Sequence, residues 1–180
     1  MQYEFFDPPA RLFYMNATRA GVPIDILHRY VDSAATFQVR IASLFPMVDK
    51  RGPTLTRAET VTLMNDIVVM APAAVLDLPF TCTTVSERSL LATFTNAGHT
   101  VSATITFDAA GDLVGFLSND RTQEDATGSR NVPWSTPISG YREIDGIRVG
   151  TLGDANWIKT SGEWTYGKFT IRSIAYNVDR

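Results

Sequence analysis

Cysteine is almost missing from this chain: Cys82 stands alone among 180 residues. No intrachain disulfide can form, and one thiolate cannot build a zinc site. Cys82 is not framed by glycines and the chain has no GxSxG elbow, so it reads as a small core residue in a strand. Histidine is nearly as scarce. His28 and His99 show no His-x-His, His-x-x-x-His or HExxH spacing, which leaves no metal site to predict. The glycines of "DAAGDLVG" at 108–115 fall in a hairpin, not between a strand and a helix. Neither the dinucleotide fingerprint nor the P-loop is present, and no cofactor is expected.

Concentrated positive charge is also lacking. The 16 Lys and Arg are outnumbered by 19 Asp and Glu, for a net charge of −3, and no basic cluster occurs. Nucleic acid and anionic membrane surfaces are therefore not expected partners. The longest apolar run, 67–80, is broken by Pro72, Asp77 and Pro79, so no membrane insertion is expected of it. Met1 to Asp7 has neither a basic n-region nor an apolar h-region, and the expected location is cytoplasmic.

What is present suits a single globular domain over 1–180. A hydrophobic content of 44% at this length is enough to bury a core without staples. Period-two alternation marks strands. Ile24, Ile26, His28 and Tyr30 share one face, then Phe37, Val39 and Ile41 share another, after a strand over 11–20. "DKRGP" at 49–53 reads as a loop. Thr56-Arg57-Ala58-Glu59 has capping-box spacing and predicts a helix opening at Thr56, ended or kinked by Pro72, with a short further turn over 73–77. Beyond it come strands over 89–95, 100–107 and 113–118, an Asp145-Gly146 hairpin, and a final strand or pair over 162–176. "DRTQEDATGSRN" at 120–131 reads as a mobile polar loop. The predicted fold class is α+β, with one antiparallel sheet around a central helical hairpin.

In "ETVTLMNDIVVMAP" at 59–72, an amide and a carboxylate, Asn65 and Asp66, interrupt an apolar helix. Val61, Leu63, Met64, Ile67 and Val68 form one arc; Glu59, Thr62, Asn65 and Asp66 form the other. Val69 and Met70 fall within the polar arc, so the helix is expected to be mostly buried. Asp66 then needs a partner: it is either a structural pair or a polar spot in a pocket. Asp120, Glu124, Asp125 and Glu143 are further carboxylate candidates, with Glu124 and Asp125 read as surface charge.

"ETVTLMNDIVVMAPAAVLD" at 59–77, "ATFTNAGHTVSATITFDAAGDLVGFLSNDR" at 92–121 and "WSTPISGYREIDGIRVG" at 134–150 together resemble an uncharacterised bacterial domain family of unknown function. The resemblance spans about Gln2 to Asn177. It implies a curled antiparallel half-barrel wrapped over the helix, similar to the outer-membrane lipoprotein carriers. It also implies that Glu59, Asn65, Asp66, Pro72, Ser118, Asp120, Arg121, Trp134, Pro137, Tyr141 and Trp157 matter. Asn119 departs from it, standing where an acidic residue is expected. Family members usually carry further strands before Met1, so the chain is expected to match the C-terminal two-thirds of the usual domain. Pairing through an open edge into a homodimer is then an expectation.

The half-barrel implies a concave apolar cavity for a small hydrophobic or amphipathic ligand. Phe13, Tyr14, Phe37, Phe94, Phe107, Phe116, Trp134 and Trp157 either wall it or fill the core. The expected ligand-binding residues are Asn65, Asp66, Arg121, Tyr141 and Trp134, with Arg121 holding a carboxylate or neutralising Asp66 or Asp120. Two other readings stand beside this one. The first is a lyase, isomerase or hydrolase with Asp66 as general base and Arg121 or Tyr141 stabilising negative charge. The second is a structural or oligomerising module.

Overall fold

The structure is a computed structural model that describes residues 1–125 and 128–178. The chain first lays down a five-stranded antiparallel meander: β1 (Gln2–Phe6), β2 (Pro9–Arg19), β3 (Val22–Val31), β4 (Ala34–Ile41) and β5 (Phe45–Arg51), adjacent in that order. Two of its turns, Ala20-Gly21 and Asp32-Ser33, have positive φ at both positions. That is the primed-turn conformation, whose twist matches the strands it joins.

A single helix among the described residues follows, α1 (Pro53–Met70), then a 3-10 turn over Pro72–Leu76. The remaining strands are β6 (Phe80–Ser86), β7 (Ser89–Asn96), β8 (His99–Phe107), β9 (Leu113–Ser118), β10 (Thr122–Asp125), β11 (Gly128–Asn131), β12 (Trp134–Ile144), β13 (Ile147–Lys159) and β14 (Gly162–Thr170). Seven of them form a second antiparallel sheet in the order β14-β13-β12-β9-β8-β7-β6, while β10 and β11 pair with each other. The class is α+β, as the alternation predicts. Among the described residues, no helix is long and apolar enough to cross a membrane.

Several expectations need correction. Strands before and after the helix form two sheets, not one, because α1 lies between them and touches β4 and β5 on one side and β7, β8, β9 and β13 on the other. The helix opens at Pro53, not Thr56. Gly52, at φ 119°, takes a turn that only glycine adopts easily, and Pro53 presets the first helical φ. The Thr56 hydroxyl makes no cap; it donates to the Gly52 carbonyl at 3.0 Å and accepts the Ala35 amide at 3.2 Å. The expected loop at 49–53 is strand as far as Arg51. The expected polar loop at 120–131 contains the β10–β11 hairpin, and Ala126, Thr127 and the Asp125 side chain lie outside the described residues. The last strand stops at Thr170. Cys82 lies in a strand but is exposed, because β6 is an outer edge of its sheet and everything from Thr81 to Ser86 is exposed.

Two covering sheets explain why the helix carries so few charges. Every residue from Ala58 to Asn65 is buried, as are Ile67, Val68 and Val69. Leu63, Met64 and Ile67 belong to one core cluster with Phe94, Val101 and Phe116, each contributing about 1.5–3 kcal/mol by leaving water. The polar helix residues are matched to the first sheet: the Tyr30 hydroxyl meets Thr60 Oγ1 at 3.0 Å. Tyr30→Phe is expected to cost about 1 kcal/mol in urea denaturation, the net worth of one buried hydrogen bond. Gly150 shows how tightly the second sheet packs. A Cβ there would stand 2.4 Å from Ile138 Cγ2 and 3.1 Å from Tyr141 Cζ. Gly150→Ala is expected to lower stability by about 1–3 kcal/mol in the same measurement, the usual cost of overpacking.

Candidate functional site

Strand register and helix period bring charge together at one place. Arg11 stands opposite Tyr30 on β3 and opposite Glu4 on β1, so all three share the helix-facing side. Glu59 and Asp66 are seven residues apart on α1, two turns along one face. The Arg11 guanidinium spans them, with Nε 2.6 Å from Asp66 Oδ2 and Nη1 3.3 Å from Glu59 Oε2. Glu4 Oε1 lies 3.6 Å from the same Nε. Gln2 Nε2 donates to Glu4 at 2.6 Å and to Asp66 at 2.8 Å. Three carboxylates thus surround one buried arginine.

The three respond differently. Burial raises Glu4, and the neighbouring Asp66 charge adds to this, so its pKa is pushed up to about 9. Burial also raises Asp66, and Arg11 offsets this only in part. Burial would raise Glu59 as well, but contact with His28 and the charges of His28, Arg11 and Arg121 outweigh it and hold the carboxyl at about 2. Glu59 is therefore the fixed anion of the cluster, and Glu4 carries a proton at neutral pH.

Glu59 also links the two sheets. His28 Nδ1 from β3 lies 3.3 Å from Glu59 Oε2. On the other side, Arg121 Nη2 lies 3.9 Å from Glu59 Oε1. Arg121 is aimed there by the residues before it. Asp120 accepts from the Ser102 amide at 2.8 Å and from Arg57 at 2.7 Å, which ties the end of β9 to β8 and to the helix. The Arg121 guanidinium then lies over Trp134, 4.4 Å from the ring centre, and 5.4 Å from that of Trp157. It donates one hydrogen bond, to the Tyr166 hydroxyl at 2.8 Å, and the Trp134 indole N–H reaches the same oxygen at 3.0 Å.

The first sheet extends beyond the helix as an apolar strip. Register places Ile24 and Ile26 on the His28 face of β3, opposite Ile41 and Val39 on β4. Phe13 and Phe37 flank His28, with ring centres 5.8 Å and 4.2 Å from it. None of these side chains is fully buried, and Met15 and Phe45 at the strip's border are exposed. The opposite face of the sheet is polar, with Tyr14, Asn16 and Ser43 all bonded to Asp25. The strip is thus a partly exposed apolar surface that ends at His28.

Of the expected residues, the structure joins Asp66, Arg121 and Trp134 through one chain of contacts, Asp66–Arg11–Glu59–Arg121–Trp134. Asp66 does not meet Arg121 directly; Arg11 takes that place. Asn65 is buried with its amide nitrogen unpaired among the described residues. Tyr141 is held elsewhere: its hydroxyl donates to the Leu113 carbonyl at 2.8 Å and Arg148 covers its ring. Phe94, Phe116, Trp134 and Trp157 are core, and Tyr14 lies on the polar face. Arg11, His28, Glu4 and Gln2 were not singled out from the sequence. Arg11 shares the apolar phase of β2 with Phe13 and Met15, and a basic residue in that phase is the signal that finds it. Two surface depressions are lined by Lys50, Glu124, Gly128 and Ser129, and by 49–55 with Glu124; Asp66 and Arg121 line neither. Among the described residues, no group of three His, Cys, Asp or Glu is placed to hold a metal ion.

A family model described as a family of unknown function (DUF6544) matches residues 1–169. The chain belongs to that family. The matched span includes every strand of the first sheet, the helix, and the whole Arg11–Glu59–Arg121 cluster. No curated protein and no solved structure matches this DUF6544 chain.

Proposed function

We propose that this protein binds a small amphipathic ligand, with the apolar part on the strip of β3 and β4 and the polar part at His28, Glu59 and Arg121. The observation that carries this reading is the strip itself. A partly exposed apolar sheet face that runs directly into a buried charge cluster has the two-part character of such a ligand. In this reading the first sheet serves as the half-barrel wall and α1 as its floor. Asp66 and Arg11 set the charge of the floor from behind, and Asn65 and Trp134 belong to the surrounding shell.

The test is binding of N-phenylnaphthylamine, a neutral apolar fluorescent probe, together with native mass spectrometry of the purified protein. Saturable binding is expected, lost in Ile26→Asp and retained in Leu27→Asp on the opposite face of β3. Probe binding that is absent, or equal in the two variants when circular dichroism shows both folded, overturns the reading.

A further inference from the structure

The arrangement of Arg121 bears on the ligand's head group. A guanidinium carries five N–H donors in a fixed fork. The Arg121 guanidinium makes one hydrogen bond among the described residues, to Tyr166, and its nearest carboxylate oxygen is 3.9 Å away, beyond hydrogen-bond range. Its side chain is only 13% exposed. Arg11, by contrast, donates to three acceptors, on Asp66, Glu59 and Gln2. Two tryptophan rings and a tyrosine hydroxyl fix the Arg121 plane without using up its fork. A rigid, nearly buried, underused fork matches a planar carboxylate, which accepts two parallel N–H bonds.

We propose that the head group is a carboxylate held by Arg121, and that the ligand is a single-chain carboxylic acid in its anionic form. This rests on the binding reading above. Three features narrow the class. The apolar run from His28 to Ile24 covers four strand steps, roughly 13 Å, the length of an extended chain of about ten carbons. The fixed negative charge of Glu59 beside Arg121 opposes any anion there, and opposes a dianion more than a monoanion. His28, in van der Waals range of Phe37 and in contact with Glu59, stands at the junction where the chain meets its head group.

The experiment compares decanoate, decanol and decylamine at pH 7 as competitors of N-phenylnaphthylamine. Decanoate is expected to compete at least about tenfold better than decanol, the advantage of one charge-assisted pair, and decylamine is expected to be the weakest. Arg121→Gln should bring decanoate to the level of decanol, and Arg121→Lys should restore part of the difference. The comparison on the unaltered protein stands even where a variant fails to fold. Equal competition by decanoate and decanol, or preference for decylamine, overturns the carboxylate assignment while leaving the binding reading intact. Failure of the neutral probe to bind at all overturns both.

Discussion

Replacing Arg11 with alanine lowers the unfolding free energy by about 3–5 kcal/mol, the cost of leaving buried carboxylates without their cation. Arg11 is 6% exposed and bridges Asp66 at 2.6 Å and Glu59 at 3.3 Å. Without it, both carboxylates remain between the helix and the first sheet, and His28 and Arg121 reach only Glu59. A second variant separates charge from packing. Asp66→Asn in the Arg11→Ala background removes one stranded charge and should recover part of the loss, which urea denaturation measures as a coupling energy in a double-mutant cycle. Strict additivity of the two substitutions would show that Arg11 acts by packing alone.

The second large effect is on pH. Glu4 titrates near 4.5 when unfolded and is pushed up to about 9 in the fold. Between those values the folded chain holds one proton more than the unfolded chain. Stability therefore falls as pH rises through this window, by up to about 1.4 kcal/mol per pH unit for one proton. Asp66 is shifted in the same direction and adds to the slope. Glu59 works in the opposite sense, since its carboxyl is held at about 2: the stability it contributes is present above pH 4.5 and is lost as pH falls towards 2. The expected profile rises out of strong acid, peaks in mildly acidic solution and declines towards pH 9. Glu4→Gln, which keeps the hydrogen-bonding shape without the titration, should flatten the alkaline limb. A variant whose limb is as steep as that of the unaltered protein would place the titrating group elsewhere.

These effects bear on what the sequence reveals. Alternation identified strands in both sheets, among them β3, β4 and β8, because half-buried antiparallel strands write their burial in period two; β1, β5 and the β10–β11 hairpin were not legible in this way. Val69 and Met70 on the polar arc showed that the helix is covered all round. The division into two sheets was not legible, since strand pairing depends on which faces the helix separates and not on any one strand's pattern. The capping box at Thr56 misled because Gly52 and Pro53 supply a stronger start three residues earlier. Asp66 was legible as a carboxylate in need of a partner, and Arg121 was among the candidates. Arg11 was hidden because it lies 55 residues away from Asp66 in the chain and joins it only through the register of β2 against β3.

The most direct test of the binding account is photolabelling with a neutral alkyl diazirine, followed by peptide mapping. The account predicts saturable labels on Ile24, Ile26, Val39 and Ile41, competed away by decanol or decanoate. Labels confined to the exposed hairpin tip at Leu44, Phe45 and Met47, or labels that never saturate, would contradict it.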